Sequence, residues 1–243
     1  MTVLRARSQQ PLSQWLNANG LKFILDDDRM VDGPMLYRPT WNRPPFDTDQ
    51  LTALDWSTTN IRVESQKAAK LTHSVQHRAI AEVRSDAHPW DIILDDDGTG
   101  EIADIVCLRV EDDTLVIQLV HCKFSHGDQP GARVADLYEL CGQAQKSVAW
   151  RRTDLQPFFR TLRARAQAKQ AREGVSPFEV GDPVALYALQ EKSLVLRSEV
   201  RIVLAQPGMS ITKASTAQLD LLASTQAYLR TTIGARLTVW ASP

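Results

Sequence analysis

Two short runs rich in branched apolar side chains, joined by an acidic tripeptide, constrain the fold of this chain more than any other feature. The runs span 102–110 and 115–124, and each is short enough for one strand. The tripeptide between them offers Asp112 and Asp113 as the two central residues of a tight turn. The sequence therefore predicts an antiparallel hairpin over 102–124.

Three polar side chains interrupt the apolar pattern of this hairpin. With that turn, Asp104 lies opposite His121, and directly opposite residues project to the same face of a sheet. Lys123 shares the face because it lies two residues beyond His121 on the same strand. The register therefore predicts that Asp104, His121 and Lys123 converge at one end of the hairpin. Glu101 falls on the opposite face unless the end of the strand redirects it.

An acid and an amine on an apolar strand face need a physical explanation. Burying them costs several kcal/mol unless they pair with each other or bind an ion. A buried Asp104–Lys123 ion pair is one explanation, and a single histidine in a strand is commonly a hydrogen-bonded core residue. The alternative is a functional site in which the three groups act together.

The rest of the chain alternates helical and strand patterns. Helices are predicted over 66–84, 134–150, 155–171 and 216–234, and further strands over 90–94, 184–190, 200–206 and 237–242. This order predicts an α/β fold with a mixed central sheet flanked by helices. Residues 1–65, broken by Gly and Pro and with strand-like pieces at 21–25 and 61–63, are predicted to form an irregular N-terminal extension. We expect this extension to pack on an α/β domain at 66–243.

Composition argues against several classes of protein. The net charge of −1 gives no overall attraction to nucleic acid or membrane, and no apolar run approaches the ~18 residues of a membrane span. The three cysteines form no CxxC pair, which argues against a zinc site. Because the N-terminus shows no leader pattern, we expect a cytoplasmic protein without membrane contact. The chain has no phosphate-binding loop, so any ATP-driven step would belong to a partner.

Charged residues are distributed unevenly along the chain. Residues 146–172 include eight basic side chains and one acid, whereas residues 86–113 include ten acids and a single Arg. A basic helix beside an acidic cluster suits a protein that contacts phosphates with one element and a metal with another. The basic face of this helix can equally be exposed to solvent without binding a ligand. The aromatic residues Trp150, Phe158 and Phe159 can contact nucleic acid or belong to the hydrophobic core.

Residues 76–146 resemble the pattern of the PD-(D/E)XK nuclease superfamily, in which a helix and a strand precede a strand bearing Asp and a strand ending in a triplet with Lys. In the segment EIAD, Asp104 would be the metal-binding acid, with Ala103 in place of the usual Pro. In the triplet HCK, Lys123 would be the lysine, and His121 stands where the family has Asp or Glu. The resemblance implies a restriction-endonuclease-like α/β core that hydrolyses phosphodiester bonds.

The resemblance also implies a bound metal, Mg²⁺ or Mn²⁺. Asp104 would bind it together with the backbone carbonyl of Cys122, and His121 would be a further ligand or a general base. An imidazole in place of the acid implies weaker Mg²⁺ binding, a preference for Mn²⁺, or no metal at all. Aligning QHRAIAEV with the acid of the first helix places Gln76 among the catalytic residues. Weaker candidate ligands are Glu82 and Glu101.

The triplet is followed by CGQAQKS, and in several members of the superfamily such a helix offers Gln toward the active site. The predicted nucleic-acid contacts are Gln143, Gln145, Lys146, Arg133, Arg151 and Arg152. We therefore expect a DNA endonuclease that works with a helicase-type partner in phage defence or restriction, with RNA as a substrate and a homodimer left open. Two other hypotheses are an inactive nucleic-acid-binding or assembly module, and an interaction protein built on an Asp104–Lys123 ion pair.

Overall fold

The structure is a computed structural model that describes residues 2–5, 8–19, 22–25, 30–32, 34–37, 44–150 and 154–243. The chain divides into two compact units, Met1–Arg43 and Pro44–Pro243. This division differs from the boundary predicted at residue 65. Residues 44–65 belong to the second unit because Leu51–Ala53 adds a strand to its sheet, and Leu54 and Trp56 are buried in its core. The packing of the N-terminal extension on the domain stays a prediction.

The first unit consists of short strands and one helix. Two strands, β1 (Thr2–Arg5) and β2 (Ser8–Pro11), pair antiparallel and lead into α1 (Leu12–Asn19). A separate antiparallel sheet contains β3 (Lys22–Ile24), β4 (Met30–Asp32) and β5 (Met35–Tyr37). The strand expected at 21–25 is therefore present, whereas residues 61–63 form a turn.

A mixed sheet organises the second unit. Its strands are β6 (Leu51–Ala53), β7 (Ile92–Asp95), β8 (Ile105–Glu111), β9 (Thr114–Cys122), β10 (Phe178–Val180), β11 (Arg197–Ser210) and β12 (Arg236–Ser242). They form seven strands in the order β10-β7-β8-β9-β11-β12-β6, antiparallel from β10 to β9 and parallel from β9 to β6. The predicted α/β class with a mixed central sheet is confirmed.

Helices cover both faces of this sheet. They are α2 (Val75–Arg84), α3 (Ala135–Lys146), α4 (Gln156–Glu173), α5 (Pro183–Lys192) and α6 (Thr216–Ile233), with short 3₁₀ turns at Thr48–Gln50 and Ser147–Trp150. Within the described residues, none of the helices has the length and apolar character needed to cross a membrane.

The predicted hairpin is confirmed, with a shorter ladder. The β8–β9 pairing runs from Ile105 opposite Val120 to the last pair before the turn, so Asp112 and Asp113 form the turn as expected. Asp112 has a φ of 50°, a left-handed conformation that a short polar side chain tolerates. Because the ladder stops at Ile105, the residues beyond it are not held in register.

Alternate side chains of the hairpin enter two separate cores. Val106 and Leu108 pack with apolar residues of α3 to α6, whereas Ile105 and Cys107 pack with α2 on the other face. Each fully buried branched side chain contributes about 1.5–3 kcal/mol. Because both faces are covered, polar groups at the strand ends must find partners inside the protein.

The segment 184–190, predicted as a strand, lies instead in α5. Asp182 caps this helix, since its Oδ1 accepts hydrogen bonds from the N–H groups of Val184 and Ala185, both at 2.8 Å. Pro183 occupies the first turn, where its missing N–H is not needed. The helix cap therefore outweighs the preference of this apolar run for a β-strand.

The first predicted helix begins later than expected. Residues 66–73 form turns, and α2 starts at Val75 because Ser74 caps it by accepting from the N–H of His77 at 3.1 Å. The turns that precede the cap bring the segment around residue 65 back to the end of the sheet where the polar side chains gather.

Helix α4 anchors the acidic loop that follows β7. Lys169 Nζ lies 2.5 Å from Asp95 Oδ1, and Arg165 Nε lies 2.6 Å from Asp96 Oδ1. Both acids are buried. Gln76 of α2 adds a hydrogen bond from Nε2 to Asp95 Oδ1 at 2.9 Å. The loop that leads to β8 therefore starts from a fixed position between two helices.

We expect Lys169→Met to lower the free energy of unfolding by about 3 kcal/mol or more, because it leaves Asp95 buried without its nearest cationic partner. Arg160→Met, at an exposed position on the same helix, should change stability by no more than about 0.5 kcal/mol. Urea denaturation followed by circular dichroism measures both. Equal effects of the two substitutions would contradict the anchoring role of Lys169.

Candidate functional site

Three carboxylates meet in the loop between β7 and β8. Oxygen atoms of Asp97, Glu101 and Asp104 all lie within 4.8 Å of one another. Asp104 is buried, and the other two are half-buried. Among the residues that the structure describes, this acidic cluster is the one group of His, Cys, Asp and Glu side chains with the spacing to hold a metal ion.

Two glycines give the loop the tight shape that gathers these acids. Gly98 has a φ of 138° and Gly100 a φ of 77°, values that residues with a side chain rarely adopt. The Gly98 N–H donates to Glu101 Oε2 at 2.9 Å and holds that side chain over the loop. From the other side, the N–H of Cys122 donates to Asp104 Oδ2 at 2.8 Å. The acidic cluster therefore connects the loop to the end of β9.

The environment disfavours negative charge on Asp104 and Glu101. Burial raises the pKa of Asp104 well above its ordinary value, and the charge of Glu101 adds to the effect, while the hydrogen bond from Cys122 opposes it. Burial also raises the pKa of Glu101, with the Gly98 hydrogen bond opposing and the charge of Asp97 reinforcing the shift. A divalent cation would remove this repulsion, so the donor set fits a hard, oxygen-binding metal.

Lys123 directly follows Cys122, whose N–H binds Asp104, but the Lys123 amine pairs with other acids. Its Nζ is 3.2 Å from Glu64 Oε2 and 2.9 Å from Glu139 Oε1. The Asp104–Lys123 ion pair expected under one hypothesis is therefore replaced by these two pairs. Partial burial acts to lower the pKa of Lys123, but the hydrogen bond to Glu139 and the charge of Glu64 outweigh it and raise the pKa. The amine is therefore charged at neutral pH.

His121 does not join the acidic cluster. The residue is 2% exposed, its Nε2 lies 2.9 Å from Ser147 Oγ, and its Nδ1 has no hydrogen-bond partner among the residues that the structure describes. Burial lowers the pKa of His121 to about 4, so the ring is neutral at pH 7. The expected convergence of His121 with Asp104 is not seen because the β8–β9 ladder ends at Ile105. His121 instead lines a separate cavity of about 220 Å³.

Gln76 and Glu82, both predicted from the first helix, have partners within the protein. Gln76 Oε1 accepts from the Gln66 N–H at 2.8 Å, and Nε2 donates to the backbone carbonyl of Asp104 at 3.2 Å. It therefore positions the loop and does not offer its oxygen to a metal. Glu82 pairs with Arg78 Nη1 at 3.0 Å and lies outside the acidic cluster.

The predicted contacts on α3 divide between two sides of the helix. Gln143 and Lys146 line the cavity beside His121. Gln145 faces α6, where its Nε2 lies 3.3 Å from Thr225 Oγ1. The structure therefore brings Gln143 and Lys146, but not Gln145, to the candidate site.

Much of the predicted basic surface is engaged within the protein. Arg133 Nε lies 3.0 Å from Oδ2 of the buried Asp136, and two basic residues of α4 hold the acidic loop as described above. Phe158 is buried in the core, so it is not a stacking platform for a nucleobase. The predicted contacts Arg151 and Arg152 lie outside the described residues.

Two acids of the site escape prediction from the sequence. Asp97 belongs to a run that is typical of an acidic turn, although its place directly after a buried strand is a signal for a site. Glu64 lies in an irregular segment, yet its Oε2 accepts from the Phe124 N–H at 3.2 Å. The neighbouring Ser65 donates from its hydroxyl to Asp97. Only the tertiary fold brings these residues together.

No protein-family model, curated protein or solved structure matches this chain. The site itself is the guide to function. It combines clustered carboxylates, a charged lysine at the end of β9 and an adjoining cavity, two of whose lining residues carry polar atoms without a partner among the described residues.

The buried, neutral state of His121 predicts a pH dependence of stability. In the unfolded chain His121 takes up a proton near pH 6.5, whereas in the folded chain it stays neutral down to about pH 4, so stability falls as pH drops through this window. Between pH 7 and 5 the wild type should lose about 2 kcal/mol that His121→Gln does not lose. Urea unfolding at both pH values measures the difference. Parallel losses in the two proteins would contradict the neutral, buried ring.

Proposed function

We propose that this protein is a metal-dependent nuclease that hydrolyses phosphodiester bonds of DNA. The observation that carries the proposal is the acidic cluster of Asp97, Glu101 and Asp104, with the charged Lys123 next in the chain to Cys122, whose N–H donates to Asp104. Asp104 comes just before β8, and Lys123 directly follows β9, the neighbouring strand. This placement supports a restriction-endonuclease-like arrangement within the mixed sheet.

The acidic cluster would hold the metal through carboxylate oxygens, which Mg²⁺ and Mn²⁺ both accept. When bound, such an ion polarises a phosphodiester and lowers the pKa of a bound water. Asp104 keeps its orientation through the Cys122 N–H, and Glu101 keeps its orientation through the Gly98 N–H. The chain therefore presents pre-oriented ligands.

Lys123 supplies positive charge next to the carboxylates. Its pairing with Glu64 and Glu139 fixes the direction of the amine and keeps it protonated. A substrate phosphate can compete for this amine because Glu139 is largely exposed and its ion pair is weak in water. Lys123 would then stabilise the charge that develops on the phosphoryl oxygens.

Metal binding has a readout that does not depend on activity. We expect saturating Mn²⁺ to raise the thermal midpoint of the wild type by about 5 °C or more at a metal concentration ~100 times Kd. Asp104→Asn should abolish this rise while remaining folded, because burial already disfavours the ionised carboxylate. Asp113→Asn, in the exposed hairpin turn, is the matched control and should keep the full rise. A rise that survives Asp104→Asn would place the metal elsewhere.

Cleavage of DNA tests the activity itself. With plasmid and single-stranded DNA in Mg²⁺ or Mn²⁺, we expect Asp104→Asn to reduce cleavage to background and Lys123→Met to reduce the rate by about a hundredfold. Asp113→Asn should cleave like the wild type. Cleavage unchanged by both site substitutions would overturn the proposal, and a parallel assay with RNA decides between the two substrates.

A second candidate is a nucleic-acid-binding module without catalysis. The observation that favours it is the capture of Lys123 by two carboxylates, together with the absence of His121 and Gln76 from the acidic cluster. This module would bind DNA in a salt-dependent manner and would show no cleavage in either metal. The same cleavage assay, run beside a binding titration, separates the two functions.

A further inference from the structure

A cavity of about 220 Å³ adjoins the acidic cluster and shares Glu101 with it. Its other lining residues include His121 of β9, Gln143 and Lys146 of α3, and the half-buried Trp150. The cavity is smaller than the ~300–1,000 Å³ of typical small-molecule sites. It therefore suits one planar ring more than a whole nucleotide.

The hydrogen bonds of His121 define its tautomer. Ser147 Oγ contacts both His121 Nε2, at 2.9 Å, and the backbone carbonyl of Gln143, at 3.3 Å. Because a carbonyl only accepts, both contacts are hydrogen bonds only if the serine hydroxyl donates to it and accepts from Nε2–H. Nδ1 is then an unprotonated acceptor, buried without a partner within the described ranges.

Gln143 contributes a second unpartnered acceptor. Its Nε2 makes a long hydrogen bond of 3.5 Å to Glu101 Oε1, and the opposite orientation of the amide would place two oxygens against each other. This leaves Oε1 buried with no hydrogen-bond partner in the described part of the chain. A buried polar atom without a partner is destabilising, and a ligand that donates hydrogen bonds would remove this cost.

The side chains that line the cavity favour an organic ligand that donates hydrogen bonds over a metal cation. Two neutral acceptors, His121 Nδ1 and Gln143 Oε1, belong to residues that line the cavity together with Glu101. Trp150 provides an aromatic wall of the kind on which nucleobases stack. Lys146 at the cavity repels a metal ion but attracts a phosphate.

We propose that this cavity binds an unpaired nucleobase carrying an exocyclic amino group, and that it prefers cytosine to thymine. The amino group of cytosine would donate to His121 Nδ1 and Gln143 Oε1, whereas thymine presents a carbonyl oxygen at the same position. As the substrate preference of a nuclease, this base preference rests on the proposed function. Binding in the cavity places the recognised base next to the acidic cluster through the shared residue Glu101.

Binding without metal tests the cavity separately from catalysis. Fluorescently labelled oligodeoxycytidine and oligothymidine of equal length are titrated with the full chain in EDTA at neutral pH and followed by fluorescence anisotropy. We expect the wild type to bind oligodeoxycytidine about fivefold more tightly or better. Gln143→Leu should bring the ratio of the two affinities close to one without weakening oligothymidine binding. Gln145→Leu, on the same helix but facing α6, should keep the preference.

Each outcome decides a different claim. Equal binding of the two oligomers by the wild type, or a preference that survives Gln143→Leu, overturns the base pocket. A Gln143→Leu change that alters Mn²⁺ stabilisation but not base preference would identify a cation site and also overturn it. If the wild type discriminates the bases but never cleaves, the proposed nuclease activity fails and the base pocket stands. Thermal midpoints of the variants verify that each is folded.

Discussion

The buried pairing of Asp95 and Asp96 with Lys169 and Arg165 is the interaction on which the rest of the site depends. Two acids at the end of an apolar strand cannot be buried alone, and the two cations of α4 make their burial possible. Because this anchor fixes the start of the loop, the next three acids are forced together. The clustering of these carboxylates is thus a consequence of the ion pairs that hold the end of β7.

The same anchor changes the meaning of the charge pattern in the sequence. The basic stretch that follows α3 suggests a surface for phosphates, yet Lys169 and Arg165 point inward and neutralise acids. Arg133 is likewise committed to the buried Asp136. Positive charge near the candidate site comes from Arg165, whose charge acts on Glu101, from Lys123 at the end of β9 and from Lys146 at the adjoining cavity.

Much of the fold follows from sequence patterns that are strictly local. The hairpin register was predictable because two apolar runs flank a short acidic turn, and its alternation matches two separate cores. Helix α5 was not predicted, because an apolar run of that length fits either a strand or a helix. The cap formed by Asp182 distinguishes the two. The positions of Asp104 just before β8 and of Lys123 just after β9 were predictable from the hairpin. Glu64 was not predictable, because its partners come from a distant part of the chain. His121 does not meet Asp104 as predicted, because the β8–β9 ladder ends one residue pair too early.

The most direct test of the central claim is to locate a bound metal by experiment. A crystal grown with Mn²⁺ and measured near the manganese absorption edge reports the position of the ion by anomalous scattering. If the acidic cluster is the metal site, the manganese peak lies within coordination distance of Asp97, Glu101 and Asp104. A peak at His121, or no peak at the acidic cluster under saturating Mn²⁺, would contradict it.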